Sequence, residues 1–161
     1  MDLYLSHFTN RLDAKGRVSI PAAFRTVLAR DGFEGLYVHP SLDMAALDCG
    51  GNALLGEIQG LLSVLEPYSV EREMFSTALL GTSEILKVDS EGRVVLSEGL
   101  KVYAGIGSEV TLVGQGQKFQ IWEPERFRAH LDEAKLRVRD LRKDLGARRA
   151  VIPPRAQGAR E

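Results

Sequence analysis

One segment of this chain occurs twice, and that repeat limits the possible folds more than any other feature. Leu12-Asp13-Ala14-Lys15-Gly16-Arg17-Val18-Ser19-Ile20 aligns without a gap on Val88-Asp89-Ser90-Glu91-Gly92-Arg93-Val94-Val95-Leu96, 76 residues further on. Asp, Gly, Arg and Val are identical, and the flanking positions keep aliphatic character or size. The stretches just upstream, Ser6 to Arg11 and Thr82 to Lys87, both read as short strands. A repeat at a fixed offset means one supersecondary unit used twice. Modules of about 60 residues are marginal on their own, so the two copies must share a core or lean on other chains.

Each copy reads as a β-hairpin. An Asp at the first turn position accepts hydrogen bonds from nearby backbone N–H groups, and a Gly three residues later supplies the positive φ of a bulged turn. Asp13 and Gly16, with Asp89 and Gly92, are the turn-shaping candidates. An arginine then opens the returning strand, where Val18/Ile20 and Val94/Leu96 alternate as a half-buried strand should. A helix follows in both copies, at Pro21 to Leu28 and, behind the N-cap candidate Ser97, at Glu98 to Ala104 with Gly105 as its stop. Strands are expected next at Gly35 to His39 and Ser108 to Val113. The second copy adds Lys118 to Trp122 as a hairpin partner.

Helices are also expected over Leu54 to Leu65 and Ser69 to Leu80, separated by Pro67. A last helix starts at Glu123-Pro124-Glu125 and carries Phe127, Leu131, Ala134, Val138, Leu141 and Leu145 at alternating spacings of four and three. That heptad-like stripe must pack on something, with the chain's own body preferred over a neighbouring subunit.

Charge is segregated. The chain carries a net −1, but residues 1–30 hold five Lys/Arg against two acids and residues 126–161 hold eleven against five. The middle, 31–125, holds five against fifteen. A local basic face matters more for phosphate than the total does. Cys49 is the only cysteine, which rules out an intramolecular disulfide and a cysteine-based zinc site and fits a reducing compartment. No secretory signal or membrane span is expected. No Gly-x-Ser-x-Gly occurs, and His7, His39 and His130 are scattered surface or packing histidines without metal-site spacing. The glycine-rich stretches lack a phosphate-loop lysine. No catalytic residue, metal, cofactor or small-molecule substrate is therefore expected.

The paired Asp-x-x-Gly-Arg hairpins, with Ile20-Pro21 after the first and Ile121-Trp122-Glu123-Pro124-Glu125-Arg126-Phe127 after the second, resemble the MraZ family of AbrB-like transcription regulators. The likeness runs from about residue 3 to about residue 145. It implies an α+β fold: two tandem AbrB-like swapped-hairpin β modules forming a compact β-barrel-like core, with peripheral helices. The expected layout is a first module over 3–50, a helical connector over 51–81, a second module over 82–125, a C-terminal helix over 126–145 and a flexible basic tail over 146–161. It further implies ring-like homo-oligomers that bind double-stranded DNA at repeats upstream of the division and cell-wall operon. Repression is the simplest mode, and a cytoplasmic, nucleoid-associated protein is expected.

The candidate DNA-binding residues are Arg17, Lys15, Arg11, Arg93 and Arg25. Arginine's fork suits guanine edges and phosphate. The competing assignment for Arg17 and Arg93 is a salt bridge to the neighbouring copy's Asp. Glu91 stands where the first turn has Lys15, so the first hairpin is expected to be the principal reader. The alternative function is an antitoxin-like oligomeric protein-interaction module.

Overall fold

The computed structural model describes residues 2–151, with side chains through Arg148. The chain divides into two units, one reaching Pro124 and the other starting at Glu125.

In the first unit, β1 (His7–Arg11), β2 (Arg17–Ser19), α1 (Ala22–Asp31), β3 (Leu36–Pro40) and β4 (Leu47–Gly50) form the first copy. Two helices follow, α2 (Asn52–Ser63) and α3 (Val70–Leu79). The second copy is β5 (Glu84–Leu86), β6 (Arg93–Val95), α4 (Glu98–Ala104), β7 (Glu109–Gly114) and β8 (Phe119–Trp122). It is a mixed α/β arrangement.

The strands form one six-stranded antiparallel sheet, ordered β1-β7-β8-β4-β3-β5, and a separate β2–β6 ribbon. The sheet is open: its edge strands β1 and β5 do not pair with each other, so the expected barrel-like core is not closed. Pairing runs between the copies. β1 of the first copy joins β7 of the second, and β5 of the second joins β3 of the first. The order is therefore symmetric about the β8–β4 pair. In the ribbon, Val18 lies opposite Val94, its own equivalent in the repeat. A pseudo-two-fold axis thus passes between these two valines.

The strand at Leu47–Gly50 corrects the sequence reading, which gave only the second copy a fourth strand. β4 is the counterpart of β8. Asp48 and Gly50 have low β propensity, and the strand persists because both its neighbours, β3 and β8, hydrogen-bond to it.

One core serves both copies. Val18, Ile20, Phe24, Leu28, Leu36 and Val38 from the first pack with Val94, Leu96, Leu100, Ala104, Val110, Leu112, Phe119 and Ile121 from the second. This sharing resolves the marginality of a 60-residue module. α1 and α4 present Phe24/Leu28 and Leu100/Ala104 to the core, and each ends on a left-handed glycine, Gly32 and Gly105. Pro21 stands one place earlier than expected, as the residue preceding α1. Ser97 and Ser69 cap α4 and α3 by accepting from the backbone N–H of Leu100 and Arg72. α2 starts two residues before the expected Leu54. The carboxylate of Asp31, distant in sequence, accepts from the N–H groups of Asn52 and Ala53 and so supplies its cap. A second cluster of Tyr37, Leu54, Ile58, Leu62 and Leu79 joins α2 and α3 to the sheet.

The second unit is α5, whose helix spans Pro124–Val151 and so continues through Gly146. Residues 152–161 of the expected basic tail lie outside the described residues. No described helix is long and apolar enough to cross a membrane.

Candidate nucleic-acid interface

The two turns are near-duplicates in atomic detail. Asp13 Oδ1 accepts from the N–H groups of Lys15 and Arg17, both at 2.9 Å, and Asp13 O accepts from Gly16 N at 2.9 Å. Asp89 Oδ1 accepts from Glu91 N and Arg93 N, again at 2.9 Å, and Asp89 O accepts from Gly92 N at 3.0 Å. Gly16 and Gly92 share φ = +77°, the left-handed region where a Cβ is disfavoured. The backbone N–H of Arg17 and of Arg93, followed by their side-chain bonds, holds the Asp13 and Asp89 carboxyls below the usual carboxylate range.

The copies lock together at the glycines. Ile20 N donates to Gly92 O at 2.9 Å, and Leu96 N donates to Gly16 O at 3.0 Å. This reciprocal pair extends the β2–β6 ladder by one bond at each end.

The ladder decides where the arginines point. Directly opposed residues of an antiparallel pair share a face, and alternate residues of one strand share it too. Arg17 opposes Val95 and Ser19 opposes Arg93, so these four occupy one face, while Val18 and Val94 are buried on the other. Arg17 and Arg93 are diagonal neighbours, with Cα atoms roughly 7–8 Å apart. The ribbon therefore presents two half-exposed arginines on one side.

Each arginine is paired within its own turn, which replaces the expected alternative of a bridge to the other copy's aspartate. Arg17 Nε bonds Asp13 Oδ2 at 2.6 Å, and Arg93 Nε bonds Asp89 Oδ2 at 2.8 Å. The copies then part. Glu91 Oε2 lies 3.3 Å from Arg93 Nη2, so Arg93 is held at two nitrogens, Nε and Nη2. The Asp89 side-chain bond, with the charges of Glu91 and Asp13 adding to it, raises the Arg93 pKa further. Lys15, at the place of Glu91, is exposed and leaves the outer edge of Arg17 uncontested.

Arg25 and Arg11 take different positions. Arg25 reaches the other copy's turn: its Nη1 donates to Glu91 O at 3.5 Å, and its side chain lies where a Cβ on Gly92 would fall. Arg11 is exposed at the end of β1, opposite Glu109. Thus Lys15 and Arg17 are brought together on the first turn, whereas Arg25 joins Arg93 on the second.

Sequence reasoning missed Lys101. It is the repeat equivalent of Arg25, 76 residues on, and its Nζ lies 3.9 Å from where a Cβ on Gly16 would stand. Glu98 holds it at 2.8 Å. Each turn is thus overlaid by a cation from the other copy's helix, and applying the repeat offset to Arg25 would have found it.

The histidine and cysteine positions are occupied structurally. His39, 3% exposed, lies 3.6 Å from Asp48 Oδ2 in a buried polar group. There Asp48 also accepts from Lys118 Nζ at 3.2 Å and Gln120 Nε2 at 2.7 Å, and Gln120 accepts from Trp122 Nε1 at 2.9 Å. Cys49 is fully buried, and burial pushes its thiol pKa well above the ordinary value. Among the described residues, no group of three or more His, Cys, Asp or Glu is placed to hold a metal ion.

Fold and surface together define a duplicated-hairpin protein whose copies are fused in one core and present paired arginines on a β-ribbon. The family profile described as "MraZ protein, putative antitoxin-like" matches residues 78–148. A protein of Beijerinckia indica named transcriptional regulator MraZ is 74% identical over 164 residues, covering 100% of both chains. Proteins of the same name from Xanthobacter autotrophicus and Rickettsia bellii are 61% and 38% identical. They cover 92% and 83% of this chain, and 94% and 90% of their own length. The chain belongs to the MraZ family of transcriptional regulators.

Proposed function

We propose that the chain binds double-stranded DNA in a sequence-dependent way through the outer face of the β2–β6 ribbon and its turns. The observation that carries this reading is the placement of Arg17 and Arg93 on one face of a two-stranded ribbon. The major groove, about 12 Å wide, admits such a ribbon. Arg17 is the principal reader, because Asp13 orients its guanidinium from one edge only, while Arg93 is clamped by Asp89 and Glu91. Lys15 and Arg11 add phosphate contacts on the first side, and Arg25 adds one on the second. Asp13, Gly16, Asp89 and Gly92 hold the turns in shape. The cross-copy strand pairing is, in this reading, a swapped-hairpin arrangement contained within one chain.

One ribbon makes few contacts, so affinity comes from several copies engaging repeated sites together. The protein is then a homo-oligomer, a ring in the simplest case. It acts as a repressor at repeats upstream of the division and cell-wall operon, its own gene included, and works in the cytoplasm at the nucleoid. The test is a titration against the DNA just upstream of the gene, at low and physiological salt. Arg17→Ala should weaken specific binding by about 1–3 kcal/mol, roughly five- to 150-fold, and Arg93→Ala by less. Equal binding of that DNA and random duplex by an intact oligomer would refute the reading. It would favour the interaction-module alternative, to which the antitoxin-like family description gives support.

A further inference from the structure

Among the described residues, α5 and α3 each expose apolar side chains, and the charges beside them are opposite. On α5, the stripe of four-and-three spacing continues past Ala134 into Val138, Leu141 and Leu145, which are 57%, 56% and 56% exposed. Beside the stripe stand Lys135, Arg137 and Arg142, with Glu133 paired to Arg137 at 3.3 Å and Asp144 as the other acid. On α3, a groove of about 470 Å³ is lined by Val70, Glu73, Met74, Thr77, Ala78 and Thr82. Val70 and Met74 are 68% and 67% exposed. Glu73 lines the groove itself, and α3 also carries Glu71, with Glu66 just before the helix, against Arg72.

We propose that the α5 stripe of one copy docks into the α3 groove of a second copy, head to tail. This rests on the self-association reading above and specifies the two surfaces that would carry it. The lengths agree: Val138 to Leu145 spans about 10 Å of helix and Val70 to Ala78 about 12 Å, at ~1.5 Å per residue. Anchors at i, i+3 and i+7 are the pattern with which a helix enters an apolar groove. The basic flanks of the stripe then face the acidic rim of the groove. A coiled coil of two α5 helices is disfavoured, because its flanking positions would set Arg128, Lys135, Arg137 and Arg142 against each other with Asp144 as the one acid among them. The acidic hairpin is equally unsuited to face DNA phosphates. A head-to-tail contact repeats from copy to copy and closes into a ring when its rotation permits.

The experiment is sedimentation of the purified full-length protein and two variants, Met74→Asp in the groove and Leu141→Asp in the stripe. Both positions face solvent, and circular-dichroism melts check that each variant folds. Each variant alone should sediment as a monomer, with assembly weakened at least tenfold. Mixed together, one intact stripe meets one intact groove, so a 1:1 dimer should form. A mixture that stays monomeric overturns the proposal. So does assembly that survives Met74→Asp but fails with Leu141→Asp, which would point to α5 pairing with itself. Wild-type assembly unaffected by either change overturns these surfaces while leaving self-association standing. A wild-type chain that is monomeric throughout removes the self-association reading and this proposal with it.

Discussion

Glu91→Lys would turn the second turn into a charge copy of the first. Glu91 is exposed and contributes one contact, its Oε2 at 3.3 Å from Arg93 Nη2. The substitution removes that anion, frees Nη2 of Arg93, and places a cation where the first turn has Lys15. Asp89 still holds Arg93 through Nε at 2.8 Å, so the turn keeps its frame. If the second turn lies against the same duplex as the first, the new lysine gains about one phosphate contact. The freed Nη2 gains up to one more. Each neutralised phosphate steepens the slope of log K against log salt by about 0.9. The expected change per engaged copy is therefore about 1–2. Between 50 and 200 mM salt, that amounts to an extra loss of affinity of roughly three- to twelvefold, starting from tighter binding at low salt.

Fluorescence anisotropy with one labelled duplex over a salt series reads both numbers. Glu91→Gln, which removes the anion without adding a cation, should fall between Glu91→Lys and wild type. An unchanged slope for Glu91→Lys, or weaker binding at low salt, would show that the second turn does not approach the DNA. The assignment of both ribbon arginines to one interface would then be wrong.

Phe24 is fully buried against the rings of Tyr4, Phe8 and Phe119, with centroids 5.4, 5.4 and 4.9 Å away. Phe24→Ala should cost about 3–5 kcal/mol, a fall in melting temperature on the order of 10 °C by calorimetry; a loss of only a few degrees would contradict the shared core. Gly16→Ala and Gly92→Ala both place a Cβ at φ = +77°, each costing about 1–2 kcal/mol. Only Gly92→Ala sets that Cβ 2.4 Å from Arg25 Cδ, whereas Gly16→Ala meets nothing nearer than Leu96 O at 3.5 Å. Displacement of Arg25 should therefore be seen by NMR in the former alone. Asp13 and Asp89 titrate below the usual carboxylate value because backbone N–H groups favour their charged forms. Their contribution is present above about pH 4 and is lost as pH falls through the lowered folded values. Carboxyl-carbon NMR should give midpoints for both below that of an ordinary aspartate, and a midpoint at or above it would contradict the turn geometry.

The repeat was legible because its marks are local. Asp13, Gly16 and Arg17 recur at one offset, and Ser97, Ser69 and Gly105 announce helix ends within a turn of the residues they cap. What escaped was set by residues far apart. The start of α2 depends on Asp31, 21 positions upstream of Asn52. β4 depends on its neighbours β3 and β8 and not on the propensities of Asp48 and Gly50. His39, isolated in the sequence, belongs to a polar group completed by Asp48, Lys118, Gln120 and Trp122 from two other strands and a turn. The candidate site shows the same division. The membership of Lys15 and Arg17 in one turn was readable, but the crossing of Arg25 and Lys101 onto the opposite copies depends on strand exchange, which no window of sequence contains.

Fusing the copies into one chain has a consequence that a dimer of identical hairpins could not have. The pseudo-two-fold axis passes between Val18 and Val94, and around it the core has remained symmetric in kind, valine facing valine and Phe24 answered by Leu100. The surface has not. Lys15 is answered by Glu91 across the axis, so that the two ends of one ribbon differ in charge while sharing a backbone. A homodimer must present the same turn twice, because any substitution appears on both sides of its axis. Here Glu91 can clamp Arg93 while Arg17 keeps its outer edge, since each turn has its own codons. In the DNA-binding mode proposed above, a ribbon with unlike ends has a defined direction along the duplex. It suits direct repeats, each bound in the same orientation, better than inverted ones. Binding to a direct repeat should therefore exceed binding to the same two sites inverted, and equal affinity for both would show that the charge asymmetry of the turns does not reach the DNA.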